Sequence, residues 1–166
     1  GCVGANSFAC QTADRFKVDM GEVLLVGPFP ISQDRVCFAG ELCELFALTG
    51  PGVAVGDPMI VLDTCATASV TPRLPGVGAL SRSAFENISL GIAFNAAAGG
   101  IYRLCWCASG FSCETLLNFR VDAGHLELVG PAPLQQDRTC VAGRSCQVEA
   151  FTGQGLHLGS RVMILE

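Results

Sequence analysis

The residues whose chemistry stands out in this chain of 166 amino acids are its ten cysteines. Thiolates could bind zinc, but a zinc site is expected to show CxxC or CxxH pairs. The sequence contains no such pair, and the two histidines of the chain, His125 and His157, stand alone. An even number of cysteines without that spacing favours disulfides, which form in a secreted or cell-surface environment. The cysteine spacings are Cys2-x7-Cys10, Cys37-x5-Cys43, Cys105-x-Cys107-x5-Cys113 and Cys140-x5-Cys146, with Cys65 standing apart.

Two other arrangements could carry chemistry. The strings Gln33-Asp34-Arg35 and Gln136-Asp137-Arg138 could line a glycan or ion pocket, or the aspartate could cap a turn while the arginine pairs locally. Scattered carboxylates lack the spacing of a calcium loop, and no Ser/His/Asp or Cys/His arrangement can be argued. We therefore predict no catalytic, metal or cofactor-binding residues, no cofactor, and no enzymatic activity.

Composition narrows the possible partners. A net charge of −5 and a pI near 4.9, with basic residues scattered singly, predict no binding to nucleic acid. Mean hydropathy is high at +0.46, yet apolar runs such as Met59 to Leu62 are far shorter than the roughly 20 residues of a spanning helix. We predict no membrane insertion. Asn87-Ile88-Ser89 is an N-glycosylation sequon, which makes Asn87 a candidate glycan site.

The elements that position these residues repeat along the chain. Shifting the sequence by 103 residues aligns residues 1–63 with 104–166, with 27 identities in 63 pairs. Asp-x-Gly precedes a strand-like run at both Gly21 and Gly124, and we place the boundaries there. The predicted domains are 1–21, the C-terminal part of a preceding repeat; 22–124, a complete repeat; and 125–166, the N-terminal part of a following one. We expect such a chain to be a window from a longer repetitive protein.

Strand signals at regular spacing, without a convincing helical period, predict an all-β fold. We expect tandem, disulfide-stapled, Ig-like β-sandwich repeats of about 103 residues. A short helical turn is expected only near residues 81–87. The predicted strands of the complete unit are 23–26, 42–49, 59–63, 88–94, 100–107 and 118–121.

The repeat constrains the disulfides without choosing one pairing. Cys37 with Cys43 and Cys140 with Cys146 are local pairs in equivalent positions. In the N-terminal copy Cys2 and Cys10 align with Cys105 and Cys113, but Gly4 stands at the position of Cys107. Because Cys2 and Cys10 remain without an equivalent of Cys107, we expect the pairs Cys2–Cys10 and Cys105–Cys113, which leaves Cys65 to pair with Cys107. The alternative pairs Cys65 with Cys105 and Cys107 with Cys113.

Comparing the copies predicts which faces are buried. Cys43, Leu45 and Ala47 match Cys146, Val148 and Ala150, so this small apolar face is assigned to the core. The third strand is apolar on both faces, which indicates either contact with another unit or cover by loops of the same unit. The candidate interface residues are Leu24, Phe46, Leu48, Met59 and Ile60.

Three strings carry a resemblance to a known family. They are Gly99 to Cys107, Gly-Pro-x-Pro-x-x-Gln-Asp-Arg-x-Cys, and Val61 to Cys65. Together they resemble a cysteine-rich repeat found in tandem in large extracellular proteins of dinoflagellates and related protists. The resemblance implies a secreted or surface-exposed repetitive protein.

Two functions follow as expectations. The first is a structural repeat of a filament, stalk or coat, such as a flagellar-hair-like fibre, whose partners are copies of itself or neighbouring repeats. The second is an extracellular adhesion or carbohydrate-binding module, with glycans as partners.

Overall fold

The chain is β-rich with little helix. The computed structural model describes residues 12–54, 56–82, 87–90 and 93–165, and only the backbone of the described residues within 81–88. Single 3₁₀ turns occur at Ala13–Arg15, Pro75–Gly78 and Leu116–Asn118. The strands of the described residues are β1 (Arg35–Phe38), β2 (Glu44–Phe46), β3 (Met59–Leu62), β4 (Ala79–Arg82), β5 (Asn87–Ser89), β6 (Gly100–Trp106), β7 (Val121–Pro131) and β8 (Gly153–Gln154).

The strands form one mixed sheet in the order β1-β7-β6-β3-β4-β5-β2, with β8 pairing to β7 outside this path. β1 runs parallel to β7, whereas β6 pairs with β7 antiparallel. The two ends of the order meet, because a disulfide joins Cys37 on β1 to Cys43, the residue before β2. Arg35 on β1 also donates from Nη2 to the carbonyl oxygen of Phe46 on β2, at 3.3 Å. The sheet therefore curls around a core.

Four disulfides staple the described residues. Cys37–Cys43 and Cys140–Cys146 are confirmed. The expected Cys105–Cys113 and Cys65–Cys107 pairs are wrong, and the alternative is observed: Cys65–Cys105 and Cys107–Cys113. Cys2 and Cys10 lie outside the described residues.

A turn after β3 allows this pairing. β3 and β6 are antiparallel with Ile60 opposite Cys105, so straight continuation of β3 would carry the chain away from Cys105 toward Gly100. Instead the chain turns at residues 63–66, where the Ala66 amide donates to the carbonyl oxygen of Phe119 at 2.9 Å, and Cys65 bonds Cys105 on the face of the sheet that carries Ile60.

Two apolar clusters lie on opposite faces of β3, whose side chains alternate between them. The larger contains Leu45, Val61, Leu104, Leu126 and Leu128. The smaller contains Ile60, Leu62, Cys105, Cys107 and Phe119, with Cys65, Cys113 and Leu116 packed against it.

Burial corrects three interface predictions. Leu48 and Met59 are buried in the larger cluster and Ile60 in the smaller one. Phe119 and the disulfides Cys65–Cys105 and Cys107–Cys113 cover the second face of β3, which is the alternative in which loops of the same unit bury this strand. Leu24 and Phe46 remain largely exposed, at 75% and 76%.

Several predicted elements are placed differently. Residues 23–26 form no strand and are exposed. β1 and β4 were not predicted, and β4 occupies the start of the expected helical turn at residues 81–87, of which 83–86 lie outside the described residues. The boundary predicted at Gly124 lies inside β7, which runs through it to Pro131. The division into repeats itself stays a prediction.

Candidate interface at the junction of two sequence repeats

β7 runs through the repeat boundary predicted at Gly124. Its residues from His125 onward, which the prediction assigns to the following repeat, pair with β1 on one side and with β6 on the other. Leu126 and Leu128 are 0% exposed, both within the larger cluster. Without this part of the following copy, the sheet would lose the strand between β1 and β6.

Gly124 allows this strand to approach the segment before β1. Its φ is +139°, and a Cβ built on it would lie 2.7 Å from the backbone nitrogen of Gln33. The Gln33 amide also donates to the carbonyl oxygen of Ala123, at 2.8 Å. A side chain at residue 124 would therefore force the two segments apart.

Gln33 holds the incoming loop in place. Its buried side chain donates from Nε2 to the carbonyl oxygens of Pro30 and Thr49, at 3.0 and 2.8 Å. Its Oε1 accepts from the Thr49 amide at 2.9 Å. The side-chain amide of Gln33 thus adds to the backbone hydrogen bonds between this loop and Thr49.

Asp34 fastens β7 across the repeat boundary. Its Oδ1 accepts from the backbone amide and from Nδ1 of His125, both at 2.9 Å. Arg35 donates instead to the carbonyl oxygens of Phe46 and Ala47. The aspartate was predicted to cap a turn or line a pocket; the structure assigns it to strand attachment. The Asp-x-Gly before His125 indicates the start of a strand-like run in the sequence, but it does not identify Asp34 as the contact.

The second Gln-Asp-Arg string forms the same local structure. Gln136 donates to the carbonyl oxygens of Pro133 and Thr152, at 2.7 and 2.8 Å, and accepts from the Thr152 amide. Arg138 donates to the carbonyl oxygen of Ala150, the equivalent of Ala47. Every one of these contacts has its counterpart 103 residues earlier, so the string has a structural role in both copies.

Trp106 is a core residue and its indole is hydrogen-bonded. It is 4% exposed, and its Nε1–H donates to Oδ2 of Asp57 at 3.0 Å. Burial alone would raise the pKa of Asp57, but amide donors from Ser109 and Ala54, with the Ser109 side chain and the indole, hold that pKa below its ordinary value. Asp57 therefore acts as a charged acceptor that ties β6 to the loop before β3.

Tyr102 is also oriented by a backbone acceptor. Its hydroxyl donates to the carbonyl oxygen of Ala98 at 2.7 Å. Burial raises the pKa of this hydroxyl, and the Asp63 carboxylate raises it further. This contact resembles a tyrosine corner in kind, because it ties a strand to backbone a few residues upstream.

A cleft of about 350 Å³ lies beside the loop after β6. Phe111 on its edge is 79% exposed. Two polar side chains of the cleft bond to the loop around it: Asn118 donates to the carbonyl oxygen of Ser112 and accepts from Thr115, and Arg120 donates from Nε to the carbonyl oxygen of Leu117. The guanidinium of Arg120 carries further N–H donors beyond Nε.

Other candidate chemistry is sparse. Among the described residues, no group of three or more His, Cys, Asp or Glu could hold a metal ion. In the same residues, no helix is long and apolar enough to cross a membrane. Asn87 begins β5 opposite Phe46, but its side chain lies outside what the structure describes.

No protein-family model, curated protein or solved structure matches this chain at a significant level.

Proposed function

We propose that this chain is part of a structural array: a secreted or cell-surface filament, stalk or coat built from tandem, disulfide-stapled β-sandwich repeats, without catalysis. The observation that carries the proposal is β7, which pairs with β1 and β6 as far as Val129 and continues without a break to pair with β8 at Gly130 and Pro131. Because no linker separates these two sets of partners, we expect an array of such repeats to be a rod rather than beads on a string.

The disulfides support an extracellular setting. Four bridges in the described residues fit a protein that folds in an oxidising compartment, because disulfides are rare in the reducing cytosol. Cross-links at this density also resist unfolding of single repeats under load, which suits a fibre or coat.

Exposed apolar residues support contact between copies. Phe46 on the solvent face of β2 is 76% exposed, and Phe38 on β1 is 53% exposed. Such side chains favour lateral packing of neighbouring repeats over a purely solvated surface.

The second candidate is an adhesion or carbohydrate-binding module. It draws on the cleft edged by Phe111, an exposed aromatic ring of the kind on which sugars stack. The hydrogen bonds of Asn118 and of Arg120 Nε to backbone carbonyl oxygens give these side chains a role in holding the loop, which supports the structural function.

Electron microscopy of the natural assemblies tests the proposal. We expect fibres or sheets with an axial period of about 35–45 Å, the length of one sandwich at about 3.3 Å per strand residue. A protein that stays monomeric at high concentration and binds a defined sugar on a glycan array would overturn it in favour of the second candidate.

A further inference from the structure

The segment Glu22–Val26 is the sequence equivalent of the second half of β7, yet it lies in a different environment. Val23 and Leu25 are 94% and 86% exposed, whereas Leu126 and Leu128, which stand 103 residues later, are 0% exposed. No strand pairing involves this segment among the described residues.

The turn before the segment already has the conformation of the turn in β7. Gly21 has a φ of +114° and Gly124 one of +139°. The Gly21 amide donates to Oδ1 of Asp19 at 2.9 Å, as the Gly124 amide does to Oδ1 of Asp122 at 3.1 Å. A Cβ on Gly21 would nevertheless meet nothing within 4 Å. The turn at Gly21 therefore has the positive φ that allows Gly124 to approach Gln33, although no such neighbour lies beside Gly21.

The chain also leaves the segment as it leaves β7. The Gly27 amide donates to the carbonyl oxygen of Pro51 at 3.0 Å, where Gly130 pairs with Gln154. The Phe29 amide then donates to Thr49, as Ala132 does to Thr152. The turn at Gly21 thus has the local geometry of the turn at Gly124, and the chain after Val26 is held as it is after Val129, but the described residues give Gly21 and the segment none of the close neighbours of β7.

One pair of side chains changes together between the copies. Glu127 on β7 accepts from Nε2 of Gln154 at 2.7 Å. The equivalent residues are Leu24 and Pro51, so a polar pair in one copy corresponds to an apolar pair in the other. The paired exchange is expected if Leu24 and Glu127 occupy equivalent positions on equivalent strands.

We infer that Glu22–Val26 forms a strand of the preceding copy of the repeat, inserted between its counterparts of β1 and β6. The register of β7 places Val23 to Val26 opposite the counterparts of Arg35 to Phe38 in that copy. Val23 and Leu25 then enter its core, and the partner surface is an identical or closely related repeat. The inference deepens the proposed function, since it rests on the same tandem arrangement.

The test inserts a second copy of residues 22–124 directly after Gly124 of the full chain. The Glu22–Val26 sequence then occurs twice, once after Met20-Gly21 and once after Ala123-Gly124. Hydrogen–deuterium exchange by mass spectrometry separates the two by their preceding residues. We expect the amides of the junction copy to exchange at least about a hundredfold more slowly than those of the first copy.

Two variants serve as controls. Leu25→Lys in the junction copy should abolish its slow exchange, while Leu25→Lys in the first copy should change nothing. The His125–Val129 segment, present once, reports whether the last complete sheet has formed. Equal, fast exchange of both Glu22–Val26 copies beside a protected His125–Val129 overturns the inference.

A smaller variant tests the same claim should the longer chain fail to fold. The triple substitution H125E/L126V/E127L gives β7 of the original chain the sequence of residues 22–26. We expect slow exchange to persist and Tm to fall by no more than about 10 °C; loss of the slow exchange overturns the inference.

These outcomes separate the inference from the function. A protected junction in a glycan-binding chain without fibres would leave the inference standing and refute the structural role. Fibres in which the junction strand exchanges fast would support the structural role and refute the inference.

Discussion

Leu25 and Leu128 occupy equivalent positions in the sequence repeat, and the structure predicts opposite costs for removing them. Leu128 is 0% exposed in the larger cluster, with Cys37 opposite it on β1 and Gly100 on β6. Leu128→Ala removes buried methyl groups and leaves a cavity, so we expect a loss of about 2–5 kcal/mol in the free energy of unfolding. Leu25 is 86% exposed, and Leu25→Ala should change that free energy by no more than about 0.5 kcal/mol.

Urea unfolding measures both variants under non-reducing conditions. The single tryptophan, Trp106, is 4% exposed and reports unfolding of the sheet by its fluorescence. For a unit of this size the Leu128→Ala loss corresponds to a fall in Tm of roughly 10–20 °C. The residue type and the neighbouring sequence are similar at both sites, so effects on the unfolded chain are similar as well. Equal costs for the two variants would refute the assignment of Leu128, and not Leu25, to this core.

Three further predictions follow from single contacts. Gly124→Ala should cost about 2–4 kcal/mol, because its Cβ would lie 2.7 Å from the Gln33 backbone. Gly21→Ala meets nothing within 4 Å and should cost only the strain of alanine at a φ of +114°, about 1 kcal/mol; equal Tm values for the two variants would contradict this. Asp57→Asn should lower stability at neutral pH and flatten the acid side of the stability profile, measured by urea unfolding from pH 2 to 7. The lowered pKa of Asp57 makes its contribution present above the ordinary value of 3.8 and lost as pH falls below it, so an unchanged profile would count against these contacts. Replacing Cys65 and Cys105 together by serine should cost about 4 kcal/mol, since their bridge spans 40 residues, and non-reducing peptide mapping should recover this bridge from the parent chain.

Much of the local structure could be predicted from the residue pattern. The alternation at β2 assigns Cys43 and Leu45 to the core, and both are buried, while Phe46 is exposed. Residues 59–62 and 100–106 were predicted as strands nearly to their observed bounds. These predictions succeed because the side chains of a strand alternate and each element carries its own pattern.

The junction could not be predicted in the same way. The Asp34–His125 contact joins residues 91 positions apart, and the sequence around either residue does not indicate that the two side chains meet. The Gln-Asp-Arg string is compatible with a ligand pocket, because polar residues of that type can either bind a ligand or attach a strand. Only the position of these residues beside β7 in the fold distinguishes strand attachment from ligand binding.

The sequence by itself determined the offset of 103 residues between its copies, the number of cysteines, the two local disulfides and the strand-rich fold. Tertiary structure decided that Cys65 bonds Cys105, that Met59 and Ile60 are buried by their own unit, and that β7 continues through Gly124. The physical reason is that a strand's pattern shows which face is apolar but not which sheet it joins. Pairing partners, disulfides between distant cysteines and cover by loops are set by contacts across the whole fold.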